Sequence, residues 1–422
     1  MTFLKALSKR YRIGALLAAG CAAATAVALM PSPVTAAAPP PWVGTWTASP
    51  IAGATAASCP AGDGGLNNQT VRNIVYPSIS GSQVRVRLSN VFGTAPLVVG
   101  AASIAVDETG AQVVAGTRQR VLFGGKRTVT IPPGAEALSD PVDFLVTQQR
   151  DIAVSVYVPK FSGPATFHSV ANQTNYVSTT GDFANDASAT AYTTPITCWM
   201  FTDGLEVTPS RVTGSVVAFG DSITDGNHSS ANSNDRWPNY LGRRFNAKSG
   251  RTLSVVDEGI SGNRILSDAG TAGVSALARL DRDVLSQPGA KDVIMLEGIN
   301  DIGQSDLGTT PFVSASDLIA GYKQIIARAH AAGLRIFGAT LTPFKGASYW
   351  SPQGEKTREA VNRWILTSGA FDGVVDFAAA TADPDDPQVF NPTYDSGDHL
   401  HPNDAGYQAM ANAINLSALL AS

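Results

Sequence analysis

The pattern of hydrophobic and polar positions in this chain changes its period near residue 208. Between residues 42 and 207, apolar residues alternate with polar ones, most clearly over 83–89 and 152–158, and glycines and prolines separate the alternating runs. Alternation with period two is typical of strands that are buried on one face. We therefore predict an antiparallel β-sandwich or jelly-roll domain over residues 39–208.

After Pro209, short and nearly continuous apolar runs alternate with segments of helical period. Such runs are typical of parallel strands that are covered on both faces, and here they predict strands at 215–219, 253–257, 292–296, 334–340 and 373–377. Helices are predicted over 317–332, 355–368 and 404–420. For the first of these helices, Ser316 is the expected N-cap and Gly333 the expected terminator. We predict an α/β domain with a doubly wound parallel five-stranded sheet over residues 209–422.

The first 38 residues are predicted to be a signal peptide. Basic residues precede an apolar, alanine-rich segment, and small residues follow it, as export signals require. We expect cleavage between Ala36 and Ala38 and a secreted, extracellular protein. A lipoprotein anchor at Cys21 is the less favoured alternative, because Ala18 stands where leucine is usual. The later apolar runs are too short to cross a bilayer, so no stable membrane insertion is expected.

Composition narrows the class of partner. The chain has 422 residues, is 44% hydrophobic and carries a net charge of −4, with no block of basic residues after the leader. This content is enough for a core in each of two domains, and the charge disfavours nucleic acid as a partner. Cys59 and Cys198 are an even pair in an exported protein, which favours a disulfide over a metal or nucleophilic role. We expect a monomer.

A divided Ser/His/Asp site is indicated by two segments far apart in the chain. Ser222 follows the first predicted strand of the parallel sheet, and Asp398 and His401 stand three residues apart near the end. Serine is a weak nucleophile unless a base takes its proton. We predict His401 as this base and Asp398 as the group that orients the imidazole. His399 is the disfavoured alternative base, because in strand-like alternation it would point away from His401.

The tetrahedral oxyanion of an ester reaction needs hydrogen-bond donors. We predict that the backbone N–H groups of Ser222 and Gly262 and the side-chain amide of Asn300 supply them. Both Gly262 and Asn300 follow predicted strands, and ligands of open parallel sheets lie at the carboxyl ends of the strands. Asp221 and Asp301 are expected to support these loops through hydrogen bonds to backbone N–H groups.

Four segments in order, at 220–226, 259–264, 298–301 and 398–407, resemble the conserved blocks of the SGNH hydrolases, the GDSL esterase/lipase family. The resemblance implies Ser222 as nucleophile, Gly262 and Asn300 as oxyanion donors, and Asp398 with His401 as the rest of a triad. It spans about half of the chain. The first half resembles, more loosely, the β-domain that precedes the catalytic domain in some exported bacterial SGNH proteins.

These observations predict a secreted serine esterase that forms an acyl-enzyme without a metal or organic cofactor. Short acetyl esters of carbohydrates are the preferred substrates, so the expected partner is a small-molecule or polysaccharide ester. A lipase or phospholipase is the first alternative, and a carbohydrate-binding or adhesion protein with a vestigial hydrolase is the second. Metal-assisted hydrolysis would need a His/Asp/Glu cluster, which the sequence does not display.

The remaining chemically notable residues are assigned to packing or to the surface. The acidic loop at 383–386 is expected to be solvated rather than a calcium site. Three aromatic residues after the fourth predicted strand have two open interpretations, pocket lining or core packing: Phe344, Tyr349 and Trp350. Structural or surface roles are expected for four other residues: His168, His228, Arg264 and His330.

Overall fold

The computed structural model describes residues 42–53, 59 and 65–421. The predicted signal peptide at 1–38, with Cys21, lies outside these residues. In the described ranges, no helix combines the length and the apolar character that a bilayer span requires.

The first half is built entirely from antiparallel pairs of strands. One sheet has the order β1-β16-β3-β10 with β9 beside β3, and a second has the order β14-β13-β2-β11-β5-β6 with β7 beside β5. Two small sheets pair β12 with β15 and β4 with β8. The strands are β1 (Val43–Thr47), β2 (Gln69–Val75), β3 (Gly81–Ser89), β4 (Leu97–Val99), β5 (Ala101–Thr109), β6 (Gln112–Val113), β7 (Gln119–Val121), β8 (Val129–Ile131), β9 (Glu136–Leu138), β10 (Val142–Val146), β11 (Ile152–Val158), β12 (Phe167–His168), β13 (Asn175–Thr180), β14 (Thr194–Ile196), β15 (Trp199–Met200) and β16 (Thr202–Val207).

The two large antiparallel sheets share one hydrophobic core, which makes them a sandwich. Val84 and Val86 of the first sheet belong to the same buried cluster as Val71 and Val154 of the second. Along β3 the buried positions alternate with more exposed ones, as the period-two pattern predicts. The predicted antiparallel sandwich is therefore confirmed.

The second half holds a five-stranded parallel sheet of order β18-β17-β19-β20-β21, in which every neighbouring pair is parallel. The chain runs from β17 to its neighbour β18 at one edge of the sheet and then crosses back to β19 on the other side of β17. Sheets of this kind bind ligands at the carboxyl ends of the strands where the strand order reverses. The predicted five-stranded parallel sheet is confirmed. Its strands are β17 (Val212–Gly220), β18 (Thr252–Gly259), β19 (Ala290–Leu296), β20 (Arg335–Ala339) and β21 (Gly373–Val375).

Helices cover the parallel sheet and carry local capping signals. Gly333 adopts a left-handed conformation, with φ of 77°, after the longest helix, as predicted. The α-helices are Ser222–Asp225, Trp237–Asn246, Ala276–Leu280, Ile299–Asp306, Ala315–Ala331, Pro352–Thr367, Phe377–Thr381, Asp404–Ala413 and Leu416–Leu420; a 3₁₀ turn spans Gly270–Ala272 and a π-helical turn spans Asp281–Leu285.

Three predicted helices differ from the structure in their bounds. The helix predicted over 355–368 spans Pro352–Thr367, because the Ser351 hydroxyl accepts from the Gly354 N–H and caps it. Ser314, not Ser316, caps the helix Ala315–Ala331, because its hydroxyl and the Asp317 carboxylate form a reciprocal capping box. The segment predicted as one helix over 404–420 is two helices, since Asn415 accepts hydrogen bonds from the backbone N–H groups of Ser417 and Ala418 and starts a second helix. A local cap thus overrides the continuous apolar period.

Polar contacts join the two halves along β1 and β18. The Gly44 N–H donates to the carbonyl of Pro288 at 2.9 Å, and the Thr47 hydroxyl donates to the carbonyl of Asp257 at 2.9 Å. The hydroxyls of Ser78 and Ser254 lie 2.8 Å apart. Residues 40–422 form one compact unit, so the division of the chain at 208 and 209 into two domains stays a prediction.

A disulfide joins Cys59 to Cys198, as predicted, with a Cα–Cα distance of 5.6 Å across 139 positions of sequence. Both cysteines are fully buried in the sandwich core. The bond therefore ties the segment after β1 to the loop before β15.

We expect the double variant Cys59→Ser, Cys198→Ser to have a free energy of unfolding lower by about 2–5 kcal/mol, because the open chain gains conformational freedom when unfolded. Urea titration at neutral pH measures this. The wild-type protein under a reducing agent is the matched control and should reach the same lower midpoint. Equal midpoints for the oxidised wild type and the double variant would contradict the prediction.

Candidate active site

The carboxyl end of β17 presents Ser222 in a tight turn. Strand β17 ends at Gly220, Asp221 caps the short helix Ser222–Asp225, and Ser222 is its first residue. A Cβ atom at Gly220 would lie 2.3 Å from the carbonyl oxygen of Leu296 on the next strand. Only glycine fits this position, so the turn can form against β19.

The structure brings together the three predicted triad residues. The hydroxyl oxygen of Ser222 lies 2.8 Å from Nε2 of His401, and Nδ1 of His401 lies 2.6 Å from Oδ2 of Asp398. Ser222 and His401 are both buried, with exposed fractions of 4% and 7%. His399, the disfavoured base, instead directs its ring nitrogen to Asp395 at 2.6 Å.

The environment of Asp398 keeps it ionised. Partial burial raises its pKa, but the His401 ring and the backbone N–H groups of His401 and Leu400 all donate to it and lower the pKa further than burial raises it. The pKa of Asp398 therefore lies well below its usual range. A carboxylate in this state can hold the imidazole in one tautomer and stabilise the imidazolium.

The predicted oxyanion donors lie on loops that are held against each other. Nδ2 of Asn300 donates to the carbonyl of Asn263 at 3.0 Å, and Oδ1 of Asn300 accepts from the Tyr349 hydroxyl at 3.2 Å. These contacts set the orientation of the amide and leave its second hydrogen available. Gly262 has a φ of 80°. Among the described residues, the backbone N–H groups of Ser222 and Gly262 have no hydrogen-bond acceptor.

The supporting roles expected for Asp221 and Asp301 match their contacts. Asp301 accepts from the backbone N–H groups of Ile265 and Leu266 at 2.9 and 3.1 Å, and Asp221 accepts from that of Ile223 at 3.0 Å. Burial raises the pKa of Asp301 to about 6 and that of Asp221 to about 7. Tyr349, which the sequence leaves open between pocket and core, is buried and contacts Asn300.

Arg279 lies beneath these loops and was missed by the sequence analysis. Its guanidinium is fully buried and donates to the carbonyls of Gly220 and Glu258 at 2.8 and 2.7 Å. It also donates to the Asn263 side chain at 2.9 Å and to Asp283 at 3.2 Å. The spacing of four between Arg279 and Asp283 was a local signal of an ion pair, but the charged residues around it gave no sign that the pair is buried.

His228 was also missed as a neighbour of the triad. Its ring stacks on that of His401 with centroids 5.2 Å apart, and its Nε2 lies 3.3 Å from Oδ2 of Asp398. Folding thus assembles a set with metal-ligand chemistry, His228, Asp398 and His401, whose ligand atoms lie within 4.8 Å of one another. Both ring nitrogens of His401 are engaged by Ser222 and Asp398, an arrangement that suits proton transfer better than metal ligation.

A histidine from the first half lies behind the nucleophile turn. His168 is buried, and its Nε2 lies 2.9 Å from Oδ1 of Asp225. His168 and Asp225 line a small cavity together with Arg236 and Asp257. Oδ1 of Asp257 accepts from the Gly259 N–H, whereas its buried Oδ2 has no hydrogen-bond partner within the part of the chain that the structure describes. Burial raises the pKa of Asp257 to about 7.

Elsewhere, the acidic loop at 383–386 behaves as an ordinary turn. Asp386 pairs with Lys345 at 2.7 Å, and Asp383 accepts from the Asp385 N–H at 2.8 Å. His330 lies on the surface and pairs with Asp372 at 2.9 Å.

Comparison with known proteins agrees with this geometry. Residues 218–409 match the GDSL-like Lipase/Acylhydrolase family. No curated protein matches the chain. The chain therefore contains a GDSL-like lipase/acylhydrolase domain and is a carboxylic ester hydrolase, and the family match does not extend to the sandwich.

Solved structures similar to part of the chain include three hydrolases. A GDSL-like lipase from Bacteroides thetaiotaomicron is 19% identical over 50% of this chain and 90% of its own, with a TM-score of 0.37. An alpha/beta hydrolase enzyme from the metagenome of Lake Arreo is 23% identical over 50% and 96%, with a TM-score of 0.37. A catalytic mutant of an acetylxylan esterase from Geobacillus stearothermophilus is 21% identical over 48% and 93%, with a TM-score of 0.37.

We expect Asp257→Asn to change how stability depends on pH. Because folding raises the pKa of Asp257 to about 7, its proton stabilises the folded state fully below the unfolded pKa of about 4, and this stabilisation is lost as the pH rises through 7. The asparagine side chain does not titrate, so the variant lacks this pH-dependent stabilisation. Its free energy of unfolding, relative to wild type, should therefore rise by about 2 kcal/mol between pH 5 and pH 8.

Urea midpoints at the two pH values measure this difference. Asp385→Asn, on the exposed loop, is the matched control and should leave the pH dependence of stability unchanged. A difference between wild type and Asp257→Asn that stays constant from pH 5 to pH 8 would contradict the prediction.

Proposed function

We propose that this carboxylic ester hydrolase is a secreted, monomeric serine esterase in which Ser222, His401 and Asp398 act as a catalytic triad. The observation that carries the proposal is the continuous chain of contacts from the Ser222 hydroxyl to His401 at 2.8 Å and from His401 to Asp398 at 2.6 Å. A serine that contacts a base, which in turn contacts an orienting carboxylate, is the arrangement that activates a hydroxyl for acyl transfer.

In the first step, Oγ of Ser222 attacks the ester carbonyl while Nε2 of His401 takes the hydroxyl proton. The imidazolium that forms is stabilised by Asp398, whose low pKa keeps it a carboxylate throughout. His401 then gives the proton to the leaving alcohol, and an acyl-enzyme remains on Ser222. In the second step His401 takes a proton from water, the hydroxide attacks the acyl carbonyl, and the proton returns to Ser222 as the acid leaves.

The negative oxygen of each tetrahedral intermediate is held by the N–H groups of Ser222 and Gly262 and by the side-chain amide of Asn300. Two features support this assignment. The two backbone N–H groups have no acceptor among the described residues, and Asn300 is fixed by Asn263 and Tyr349 with one amide hydrogen left over. Donors that are fixed before the reaction stabilise the transition state without reorganisation.

Short acyl esters of carbohydrates are the preferred substrates. His228, which stacks on His401 of the triad, is polar and 47% exposed, and Asp398 of the triad is itself 34% exposed. A polar border suits a hydroxyl-rich alcohol better than a long hydrocarbon chain, and the sequence after the leader has no long apolar segment that could act as a lid. Export is supported by the basic and apolar leader at 1–38 and by the Cys59–Cys198 disulfide.

A lipase-type acylhydrolase is the second candidate. Leu307 and Phe312, which follow the helix that begins at Ile299, are 54% and 63% exposed. Exposed apolar side chains after the helix that carries Asn300 offer a surface that suits longer acyl chains. The acyl-length preference of the enzyme separates the two candidates.

We expect Ser222→Ala to lower kcat by several orders of magnitude, because removing the nucleophile leaves only the oxyanion donors. The assay uses p-nitrophenyl acetate, butyrate and palmitate and measures acetate release from acetylated xylan. Ser417→Ala, on the exposed side of the last helix, is the matched control and should keep wild-type rates.

A preference for acetate and release of acetate from xylan would support the carbohydrate esterase, whereas a preference for palmitate would support the lipase. Undiminished hydrolysis by Ser222→Ala would overturn the mechanism.

We expect Asn300→Ala to lower kcat by about 10²–10³ while KM changes little, because the lost donor acts on the oxyanion and not on the ground-state ester. Steady-state kinetics on p-nitrophenyl acetate measure both constants. Asn412→Ala, on the exposed face of the helix Asp404–Ala413, is the control. An effect confined to KM would contradict the oxyanion role of Asn300.

A further inference from the structure

His168 connects the sandwich to the nucleophile turn through two hydrogen bonds. Nδ1 of its ring lies 2.8 Å from the carbonyl oxygen of Ser49, and Nε2 lies 2.9 Å from Oδ1 of Asp225. Both partners are acceptors, so both ring nitrogens donate, which only an imidazolium can do. His168 is therefore a buried cation that is paired with the carboxylate of Asp225.

Asp225 also accepts hydrogen bonds from the loop that carries Gly262. Oδ2 of Asp225 accepts from the backbone N–H of Ser261 at 2.9 Å and from the Ser261 hydroxyl at 2.7 Å. Ser261 directly precedes Gly262, and Asp225 ends the short helix that Ser222 begins. One carboxylate thus fixes the nucleophile turn relative to the oxyanion loop, and His168 holds that carboxylate in place.

Other contacts from the sandwich support the same turn. Nδ2 of Asn172 donates to the carbonyl of Gly226 and to the Ser229 hydroxyl, the latter at 3.1 Å. Arg236 donates to the carbonyl of Asp225 at 2.6 Å and to that of Ala171. Residues 168–172 of the sandwich are therefore bonded to the end of the nucleophile turn and to the segment that follows it.

The loop and the turn are also in close steric contact. A Cβ at Gly259 would lie 2.2 Å from the backbone nitrogen of Asp225. The end of β18, three residues before Gly262, therefore packs directly against the backbone of the nucleophile turn.

We propose that His168 is a positioning residue of the esterase: through Asp225 and Ser261 it holds the Gly262 N–H in line with the oxyanion that forms at Ser222. The sandwich then completes the active site of the second half and is not a separable carbohydrate-binding module. This inference rests on the proposed function, since it assigns a role in the same hydrolysis.

The direct test measures His168→Phe and His168→Gln in the full-length protein. Phenylalanine keeps the ring volume and removes both hydrogen bonds, whereas glutamine retains an N–H that can donate to Asp225. We expect kcat on p-nitrophenyl acetate to fall about 10–100-fold in His168→Phe, with KM within about threefold of wild type, and to recover at least in part in His168→Gln.

A transition-state mimic provides a readout that a purely structural role would not change. The hemiketal of a small trifluoromethyl ketone places an oxyanion where the tetrahedral intermediate has one. We expect the inhibition constant of this ketone to rise in His168→Phe by the same factor by which kcat/KM falls. Ser261→Ala, which loses one of two hydrogen bonds to Asp225, should show a smaller loss of the same kind and serves as the second variant if His168→Phe does not fold.

His330→Phe is the matched control, because His330 also pairs with an aspartate at 2.9 Å but is 44% exposed on the surface. It should leave kcat and the inhibition constant unchanged. Unchanged kcat and inhibition constants in His168→Phe, or in Ser261→Ala if His168→Phe does not fold, with Ser222→Ala inactive, would overturn the positioning role while leaving the esterase mechanism intact. Weaker retention of His168→Phe on insoluble xylan, with normal kcat on the soluble ester, would instead favour a binding module and would also overturn the proposal.

Discussion

The arrangement of the active site depends on the hydrogen bonds that the buried guanidinium of Arg279 donates. It is fully buried and donates to the carbonyls that end the first two strands of the parallel sheet, at Gly220 and Glu258. It also donates to Asn263 in the oxyanion loop and to the Ser49 hydroxyl of the sandwich at 3.1 Å. A buried charge that loses its partners costs several kcal/mol, so these contacts favour the arrangement in which the strand ends, the oxyanion loop and the sandwich segment all surround the cation.

The carboxyl groups of the site differ in pKa because their surroundings differ. Asp398 receives donors from His401 and from backbone N–H groups, and its pKa is lowered. Asp221, which directly follows the end of β17, is wholly buried, and desolvation raises its pKa to about 7. Burial also raises the pKa of Glu297 well above its usual range. Asp398, which orients the imidazole, is the carboxylate whose hydrogen-bond donors outweigh its burial. This is the arrangement that acid–base chemistry at neutral pH requires.

Much of the fold could be predicted from periodicity alone. Period-two alternation predicts strands such as β3, and short apolar runs predict the parallel strands to within about three residues at each end. The errors are local. The N-cap is at Ser314 rather than Ser316, and Asn415 interrupts the last predicted helix. In both places a side chain bonds to a nearby backbone N–H group, and this contact outweighs the apolar period that the prediction follows.

By itself, the sequence determined the fold class and pointed to the three residues of the proposed triad, because strand periodicity and motif spacing both depend on the local order of residues along the chain. Only the tertiary structure decided the roles of His168, His228 and Arg279. His168 meets Asp225 from 57 positions away, and Arg279 meets Gly220 from 59. A polar residue whose partner is distant leaves no periodic trace in the sequence. Its charge, burial and role are set only when folding brings the two groups together and removes the water between them.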